Sequence, residues 1–431
     1  MNIAEIYQIF LQYPRICTDS RNPVEDSVFF ALKGENFDAN SFARDALDKG
    51  CKYAVIDNPC FAKDNRFIVV GDTLSCLQQL ANHHRNHYDI PVIGITGSNG
   101  KTTTKELISS VLSSKSNIAF TEGNLNNHIG VPLTLLKIKE NTEIAVIEMG
   151  ANHPGEIMTL CKIAQPSHGI ITNIGKAHIE GFGSFDNIIK TKAELYNYLS
   201  ENQGIIFQNS DNEILTQIPV STKIISYGTD STNACSGKLT SNHPYLEIEW
   251  NTPDTAYQIS TQMIGGYNFE NILAAVCIGR HFQIAPENIN AAISNYKPGN
   301  LRSQLIQTDA NLLILDAYNA NPVSMNAAID NLIAFTPRKK RKVAILGDML
   351  ELGNETQNEH KNILKKLRHP DIARVILVGK SFTAANTIPE FLCFDQTQSL
   401  ISWLKNNKLT NCTILIKGSR GIKLEQIVEY L

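Results

Sequence analysis

The sequence predicts an α/β protein of three units. These are a small N-terminal α/β unit over residues 1–89, a central, mostly parallel sheet with a phosphate loop over 90–298, and a C-terminal Rossmann-like α/β unit over 299–431. Three observations predict this. A chain of this length suggests about three domains. Short apolar, β-branched runs recur along it, several separated by helical patterns, which is the order of a parallel sheet. One such run leads through a glycine-rich turn into a helix.

Up to Asp89, short strand and helix patterns include "SVFFALKG" and "YAVID". "PVIGIT" (Pro91–Thr96) then reads as a buried strand, and "KTTTKELISSVL" sets Leu107, Ile108, Val111 and Leu112 at helical spacing. The turn between them brings backbone N–H groups and the positive end of a helix onto one point, which suits an anion. The usual phosphate loop, G-x-x-x-x-G-K-[ST], wants glycine at position 95. Ile95 stands there, with Gly94 and Gly97 on either side. Gly97 and Gly100 still permit positive φ and close approach, Lys101 can reach terminal phosphates, and the Thr102 hydroxyl can ligate Mg²⁺. A tight turn with a solvated lysine is the plain alternative. The pattern G-x-x-G-K-T-T between strand and helix favours a nucleoside-triphosphate site, with Ser98, Asn99 and Thr103 completing the cradle.

"IAVIEMG" sets Glu148 at the C-terminal end of the next buried strand, the edge where such sheets collect ligands. It suits a Mg²⁺ position, or else a cap or ion pair. "GIITNIG", "GIIFQN" and "KIISYG" are further strands. Past the first of them, His178, Lys192 and Glu194 follow. On physics alone, His178 is as readily structural as a ligand, and Lys192 reads as a solvated helix residue. "KPGN" (Lys297–Asn300) is a turn-rich junction, after which "LLILDAY", "KVAILGDM", "RVILVGK" and "CTILIKGS" are four more buried strands.

Composition narrows the function. With 42% hydrophobic and 19% charged residues, this is an ordinary globular chain, and a net charge of −3 argues against nucleic acid as the main partner. Nine cysteines without a C-x-x-C suggest neither a disulfide framework nor a zinc ribbon, and fit a reduced cytoplasm. No signal-peptide h-region or run of transmembrane length is present, so no membrane insertion is expected. The basic run "PRKKRKV" (Pro337–Val343) leads straight into an apolar strand and reads as a solvated loop rather than a targeting signal.

Taken together, these motifs resemble the Mur ligases, the ATP-dependent amide-forming enzymes of bacterial cell-wall synthesis. The family's phosphate loop, G-x-x-G-x-x-G-K-T, accounts for the displaced glycine. The resemblance spans nearly the whole chain: "TDSR" (Thr18–Arg21), "FFALKG" (Phe29–Gly34), "GNLNNHIGVPLTLL" (Gly123–Leu136), "EMGANHPGEI" (Glu148–Ile157), "NIGKAHIEGFGS" (Asn173–Ser184), "DAYNANPVSM" (Asp316–Met325), "LGDMLELG" (Leu346–Gly353) and "KGSR" (Lys417–Arg420). "DAYNANP" and "GDMLELG" are similar to the branch that joins D-alanyl-D-alanine to UDP-N-acetylmuramoyl-tripeptide. One departure is "FDANSF" (Phe37–Phe42), where the family more usually has Asp-Gly-His.

The resemblance implies a monomeric cytoplasmic ligase that makes UDP-N-acetylmuramoyl-pentapeptide, ADP and phosphate through an acyl phosphate. It implies that Gly97, Ser98, Asn99, Gly100, Lys101, Thr102 and Thr103 hold the ATP phosphates. Thr102 and Glu148 would hold one Mg²⁺, and His178 and a carbamylated Lys192 a second. Asn268 and Asn271 in "GYNFENILAA" would lie by the adenine, Arg302 by the phosphates and Asp316 by the ribose. Ser20, Arg21 and Lys33 are candidates for the UDP moiety. Asn124, Asn126 and Asn127 are candidates for the muramoyl-peptide end, and Asn319, Asn321 and Ser324 for D-alanyl-D-alanine. On pattern alone, Asn268 and Asn271 are a helix cap and a polar face, and Asn319, Asn321 and Ser324 shape a strand-to-helix turn. A sibling ligase adding one amino acid would carry an Asp-Asn-Pro-Arg-type motif in its C-terminal unit, which is absent here. A folylpolyglutamate synthase would lack the N-terminal unit. A GTPase-like switch would carry N-K-x-D, and the sole Asn-Lys, in "NNKLTN", lacks the aspartate.

Overall fold

The computed structural model describes residues 1–34, 36–252, 255–335 and 341–431. Most of the basic run "PRKKRKV" lies outside the described residues; its end opens the strand Arg341–Gly347.

The N-terminal unit is a four-stranded parallel sheet in the order Ile16–Cys17, Val28–Phe30, Tyr53–Ile56, Phe67–Val69. Successive side chains of a strand point to opposite faces. Phe29 accordingly joins Ala43 and Leu47 in one core, while Val28 and Phe30 join Ile6, Phe10 and Leu77 in another. That second core continues into the central unit: Leu77 and Leu80 of the helix Thr73–Arg85 share it with Leu135 and Leu160.

The central sheet has nine strands. Its order is Ala256–Ser260, Leu246–Asn251, Cys235–Asn242, Lys223–Gly228, Ile205–Asn209, His168–Ile171, Val92–Thr96, Ile144–Glu148, Ile118–Phe120. All neighbours are parallel except the last two pairings at the Ala256 end, which are antiparallel. From Val92–Thr96 the chain runs outward to Ile118–Phe120 and returns to Ile144–Glu148. It then crosses to His168–Ile171 on the other side. The phosphate loop therefore leaves the sheet at its topological switch point, where such sheets bind ligands.

The packing is close around Gly94, and Ile95 beside it fills a core. A Cβ on Gly94 would stand 3.1 Å from Leu195 Cδ1 and 3.3 Å from Met149 Cε. A side chain at 94 would make Met149 and Leu195 of the helix Phe185–Glu201 give by a few tenths of an ångström. Ile93 and Ile95 point the other way, into a core with Leu107, Ile108 and Ile272.

The C-terminal sheet has six strands in the order Gln304–Gln307, Leu312–Asp316, Cys412–Lys417, Arg341–Gly347, Ile372–Val378, Leu392–Phe394. Only the first pairing is antiparallel. The four inner strands are the four expected from the sequence.

Candidate active site

The helix Lys101–Ser113 starts at Gly100, whose φ of 78° belongs to the left-handed region that glycine occupies freely. Gly97 has φ 142°, and a Cβ there would collide with the Thr172 hydroxyl. Both glycines are thus required by close approach as well as by conformation. The loop is tied to the segment after the strand His168–Ile171. Asn99 N–H donates to Asn173 Oδ1 at 3.0 Å, Ser98 N–H donates to the Asn173 carbonyl at 2.9 Å, and Thr172 Oγ1 donates to the Asn99 carbonyl at 2.6 Å. The cradle is therefore preorganised by its neighbours.

Lys101 folds back over this loop and donates to the Gly97 and Ser98 carbonyls at 2.7 and 3.3 Å. Burial pushes its pKa down from the ordinary lysine value, and the Glu148 carboxylate opposes that shift. Glu148 itself is 1% exposed. Its Oε1 accepts from Thr102 Oγ1 at 3.2 Å and from Asn126 Nδ2 at 2.7 Å, while Oε2 is buried with no hydrogen-bond partner among the described residues. A buried anionic oxygen without a partner is costly unless a cation or donor meets it. Beside the Thr102 hydroxyl, it offers the oxygen ligands that Mg²⁺ takes.

Lys192 is 2% exposed and donates to the Ala151 carbonyl at 3.5 Å, with its ammonium 5.4 Å from the Phe182 ring centre. Its pKa falls to about 7, first through burial and then through the charge of Lys101, against the pull of Glu156 and Glu194. The sequence reading of Lys192 as a solvated helix residue is thereby corrected: the side chain points inward, under the cleft. Glu194 is engaged in capping, accepting from the Gly155 and Met158 N–H groups at 2.9 and 2.8 Å. His178 takes φ 52° at the start of the short helix Ile179–Phe182, and its Nδ1 pairs with Glu351 Oε2 of the C-terminal unit.

Asn271 and Asn268 form a buried relay. Thr104 Oγ1 donates to Asn271 Oδ1 at 3.0 Å, Asn271 Nδ2 to Asn268 Oδ1 at 2.9 Å, and Asn268 Nδ2 to the Ile264 carbonyl at 2.8 Å. Asn268 is the first residue of the helix Asn268–His281 rather than its cap.

The C-terminal unit faces the loop directly. Asp316 Oδ2 meets Lys417 Nζ at 2.6 Å, and the same ammonium donates to the Asn319 carbonyl at 3.1 Å. The Arg302 guanidinium sits 3.9 Å from the centre of the Tyr318 ring. Asn300, Leu301 and Ser303 around it all have positive φ, a strained path between the two units. Asn319 Oδ1 accepts from Ala320 N–H at 2.8 Å. Asn321 caps the helix Pro322–Ala334: its Oδ1 accepts from Ser324 N–H at 2.9 Å, and Ser324 Oγ accepts from Asn321 N–H at 3.1 Å. The turn-shaping role of these residues is therefore realised.

One cleft of about 740 Å³ gathers most of the expected residues. It is lined by Ser98–Thr103, Asn124, Asn126, Asn127, Glu148, His178, Asn268, Asn271, Arg302, Asp316, Asn319, Asn321 and Ser324. Lys192 lies beneath rather than in the lining, and Gly97 forms the floor of the loop. Ser20, Arg21 and Lys33 are not brought there. The Arg21 guanidinium turns back onto Asp19 at 2.8 Å, and Lys33 pairs with Asp57 at 2.8 Å. In the departing loop, buried Asn40 donates to Asp38 Oδ1 and Asp57 Oδ1 at 2.6 and 2.8 Å, tying Phe37–Phe42 to the residue just past the strand Tyr53–Ile56. The sequence reading missed Asn173, Tyr267, Tyr318 and Lys417 in the lining. Lys417 had a signal: a lysine ending the strand Cys412–Lys417, which is buried at every position, must have a built partner.

A phosphate loop at the switch point of one α/β unit, facing an Asp–Lys pair and a helix cap of a second, defines an enzyme that works on a nucleoside triphosphate between two domains. Comparison with known proteins narrows this. The Mur ligase middle domain matches residues 95–279, and the Mur ligase glutamate ligase domain matches 301–420. The chain belongs to the Mur ligase family. It is 37% identical to the UDP-N-acetylmuramoyl-tripeptide–D-alanyl-D-alanine ligase of Bacillus subtilis, over 100% of this chain and 97% of that one. Among solved structures it resembles MurF from Acinetobacter baumannii, with TM-score 0.88 and 30% identity over 99% and 98% of the two chains. It also resembles MurF ligase from Thermotoga maritima in complex with ADP, with TM-score 0.86 and 26% identity over 97% of each.

Proposed function

We infer that this chain joins D-alanyl-D-alanine to UDP-N-acetylmuramoyl-tripeptide with ATP, giving UDP-N-acetylmuramoyl-pentapeptide, ADP and phosphate in peptidoglycan precursor synthesis. Support comes from its full-length likeness to ligases of that name. The observation that carries the chemistry is the cleft, where Lys101, the orphaned Glu148 Oε2 and the C-terminal Arg302 line one space.

A carboxylate is a poor electrophile. Transfer of the γ-phosphoryl group to the tripeptide carboxylate makes an acyl phosphate, which the dipeptide amine attacks with loss of phosphate. Negative charge grows in both steps, so fixed cations and N–H groups supply the stabilisation. Lys101 and the N–H groups of Gly97–Thr103 hold the phosphates. Thr102 and Glu148 would hold one Mg²⁺, and His178 with a carbamylated Lys192 would hold a second; bound there, the ions would supply positive charge against the charge that develops in phosphoryl transfer. With its pKa lowered to about 7, Lys192 is suited to its modification: the neutral amine attacks carbon dioxide, a C–N bond forms, one proton leaves, and the amine becomes a carbamate that offers anionic oxygens. Asn268 and Asn271 shape the adenine side, Arg302 meets the phosphates, and Asp316, held by Lys417, meets the ribose. Ser20, Arg21 and Lys33 of unit 1–89 take the UDP moiety, and Asn124 and Asn127 the muramoyl peptide. Asn319 presents its amide to the dipeptide, while Asn321 and Ser324 shape that wall. Units 90–298 and 299–431 close on the substrates. The chain is read as a monomer, and the use of ATP with a UDP-linked precursor suits the bacterial cytoplasm.

The test is phosphate release from ATP in the presence of UDP-N-acetylmuramoyl-tripeptide. It should depend on D-alanyl-D-alanine; release that responds instead to a single amino acid would overturn the reading.

A further inference from the structure

We propose that Glu351 is a positioning residue for His178, supplied by the C-terminal unit to complete a site in the central one. The inference rests on the ligase reading above and adds a residue to it.

Glu351 sits on a loop that is fixed at every preceding step. The Asp348 carboxylate accepts the Ser381 and Phe382 N–H groups at 2.8 Å each, Met349 N–H donates to His360 Nε2 at 3.1 Å, and Leu350 N–H donates to Ser419 Oγ at 3.0 Å. Glu351 itself adopts φ 63°, a conformation unfavourable for a residue with a Cβ. That turn brings its carboxylate out of the C-terminal unit into ion-pair contact with His178 Nδ1, a buried ring nitrogen that has no hydrogen-bond partner elsewhere among the described residues, while its carbonyl accepts from Glu180 N–H at 3.4 Å. A second contact runs alongside, Lys176 Nζ to Glu359 Oε1 at 3.2 Å. Glu351 therefore grips the first turn of Ile179–Phe182 by both side chain and backbone. The far end of that turn, Phe182, covers the Lys192 amine.

The chemistry follows from the imidazole. A carboxylate that accepts from Nδ1–H keeps the proton on that nitrogen and leaves the Nε2 lone pair for a cation. Without the acceptor, the other tautomer and other ring orientations become accessible. Because the carboxylate comes from the opposite unit, His178 is set only when the two units meet, which links closure to assembly of the site.

The test uses the full-length chain with isotope-labelled histidine nitrogens, free of metal, in mildly alkaline buffer. His178 is assigned by the signal lost in His178→Gln. Wild type should show His178 protonated at Nδ1 and bare at Nε2. Glu351→Ala should lose that bias, and Glu351→Gln should show it weakened. In turnover assays Glu351→Ala should lower kcat by about 10–100-fold and raise the Mg²⁺ concentration needed for half activity, as loss of an outer partner does, with little change in the KM for ATP. If Glu351→Ala does not fold, Glu351→Gln carries the same tests. An unchanged tautomer signal in both variants, or unchanged kcat and Mg²⁺ requirement, overturns the proposal. His178→Ala separates the two readings: full activity there removes the metal role of His178 while the tautomer signal still reports on Glu351. An inactive His178→Ala beside a fully active Glu351→Ala removes the positioning role alone.

Discussion

Asn321 Nδ2 donates to Asn99 Oδ1 at 2.7 Å, joining the helix cap of the C-terminal unit to the tip of the phosphate loop. Val323 backs this contact, lying 3.0 Å from where a Cβ on Gly175 would stand. The same amide that caps Pro322–Ala334 thus reports on whether the two units are in register.

Two roles of Asn321 can be separated. Asn321→Asp keeps the oxygen that caps the helix and loses the donor to Asn99, so its melting temperature should stay near wild type while kcat/KM for ATP falls about tenfold, the scale of a lost hydrogen bond beside a phosphate site. Asn321→Ala should lose about 1 kcal/mol of stability as well. A rise confined to the KM for D-alanyl-D-alanine would instead make this amide a dipeptide contact.

Lys101→Ala should fold normally and turn over about a thousandfold more slowly, the scale of removing one transition-state cation or donor. The remaining loop is held by Asn173 and Thr172, so circular dichroism and melting should be close to wild type. Near-native rates in the folded variant would contradict the phosphate-loop assignment.

Lys192→Ala should be nearly inactive and partly rescued by acetate, which supplies an anionic oxygen in the vacated space. A pH signature accompanies it. The folded-state pKa of about 7 lies below the ordinary lysine value of 10.5, so between the two the unfolded chain binds the proton and the folded chain does not. In buffer free of carbon dioxide, this group should make stability rise with pH through that window, by at most about 1.4 kcal/mol per pH unit. The loss accrues as pH falls from 10.5 to about 7 and is complete below that. Lys192→Met should lack this component, and identical pH profiles for the two proteins would count against a buried neutral amine.

Lys417→Met should leave Asp316 without its cation in a part-buried position and cost about 3 kcal/mol, as breaking one side of a buried pair does. Chemical denaturation measures it. A loss under about 1 kcal/mol would show that solvent screens Asp316.

Inner strands such as Ile144–Glu148 and Cys412–Lys417 were legible because they are continuous buried runs. The edge strands Ile118–Phe120, Gln304–Gln307 and Leu392–Phe394 are short and only partly buried, so their periodicity is weak. The antiparallel segment from Cys235 to Ser260 was unexpected for a related reason: Ala256–Ser260 buries one residue of five. At the site, the Gly97–Thr103 loop was legible from local spacing alone. The Glu351–His178 pair was not, since it joins residues far apart in sequence on two units, and nothing in either local pattern requires the other. Asn321 was visible as a polar turn residue, but its two-sided engagement depends on how the units meet.

In the proposed reaction one cleft activates the tripeptide carboxylate with phosphate and then passes the acyl group to the dipeptide amine. The direct measurement labels both oxygens of that carboxylate with heavy oxygen and follows released phosphate and the pentapeptide product by mass spectrometry. With ATP and D-alanyl-D-alanine present, each phosphate released should carry one labelled oxygen and match one pentapeptide formed. Unlabelled phosphate, or phosphate released at the same rate without D-alanyl-D-alanine, would contradict it.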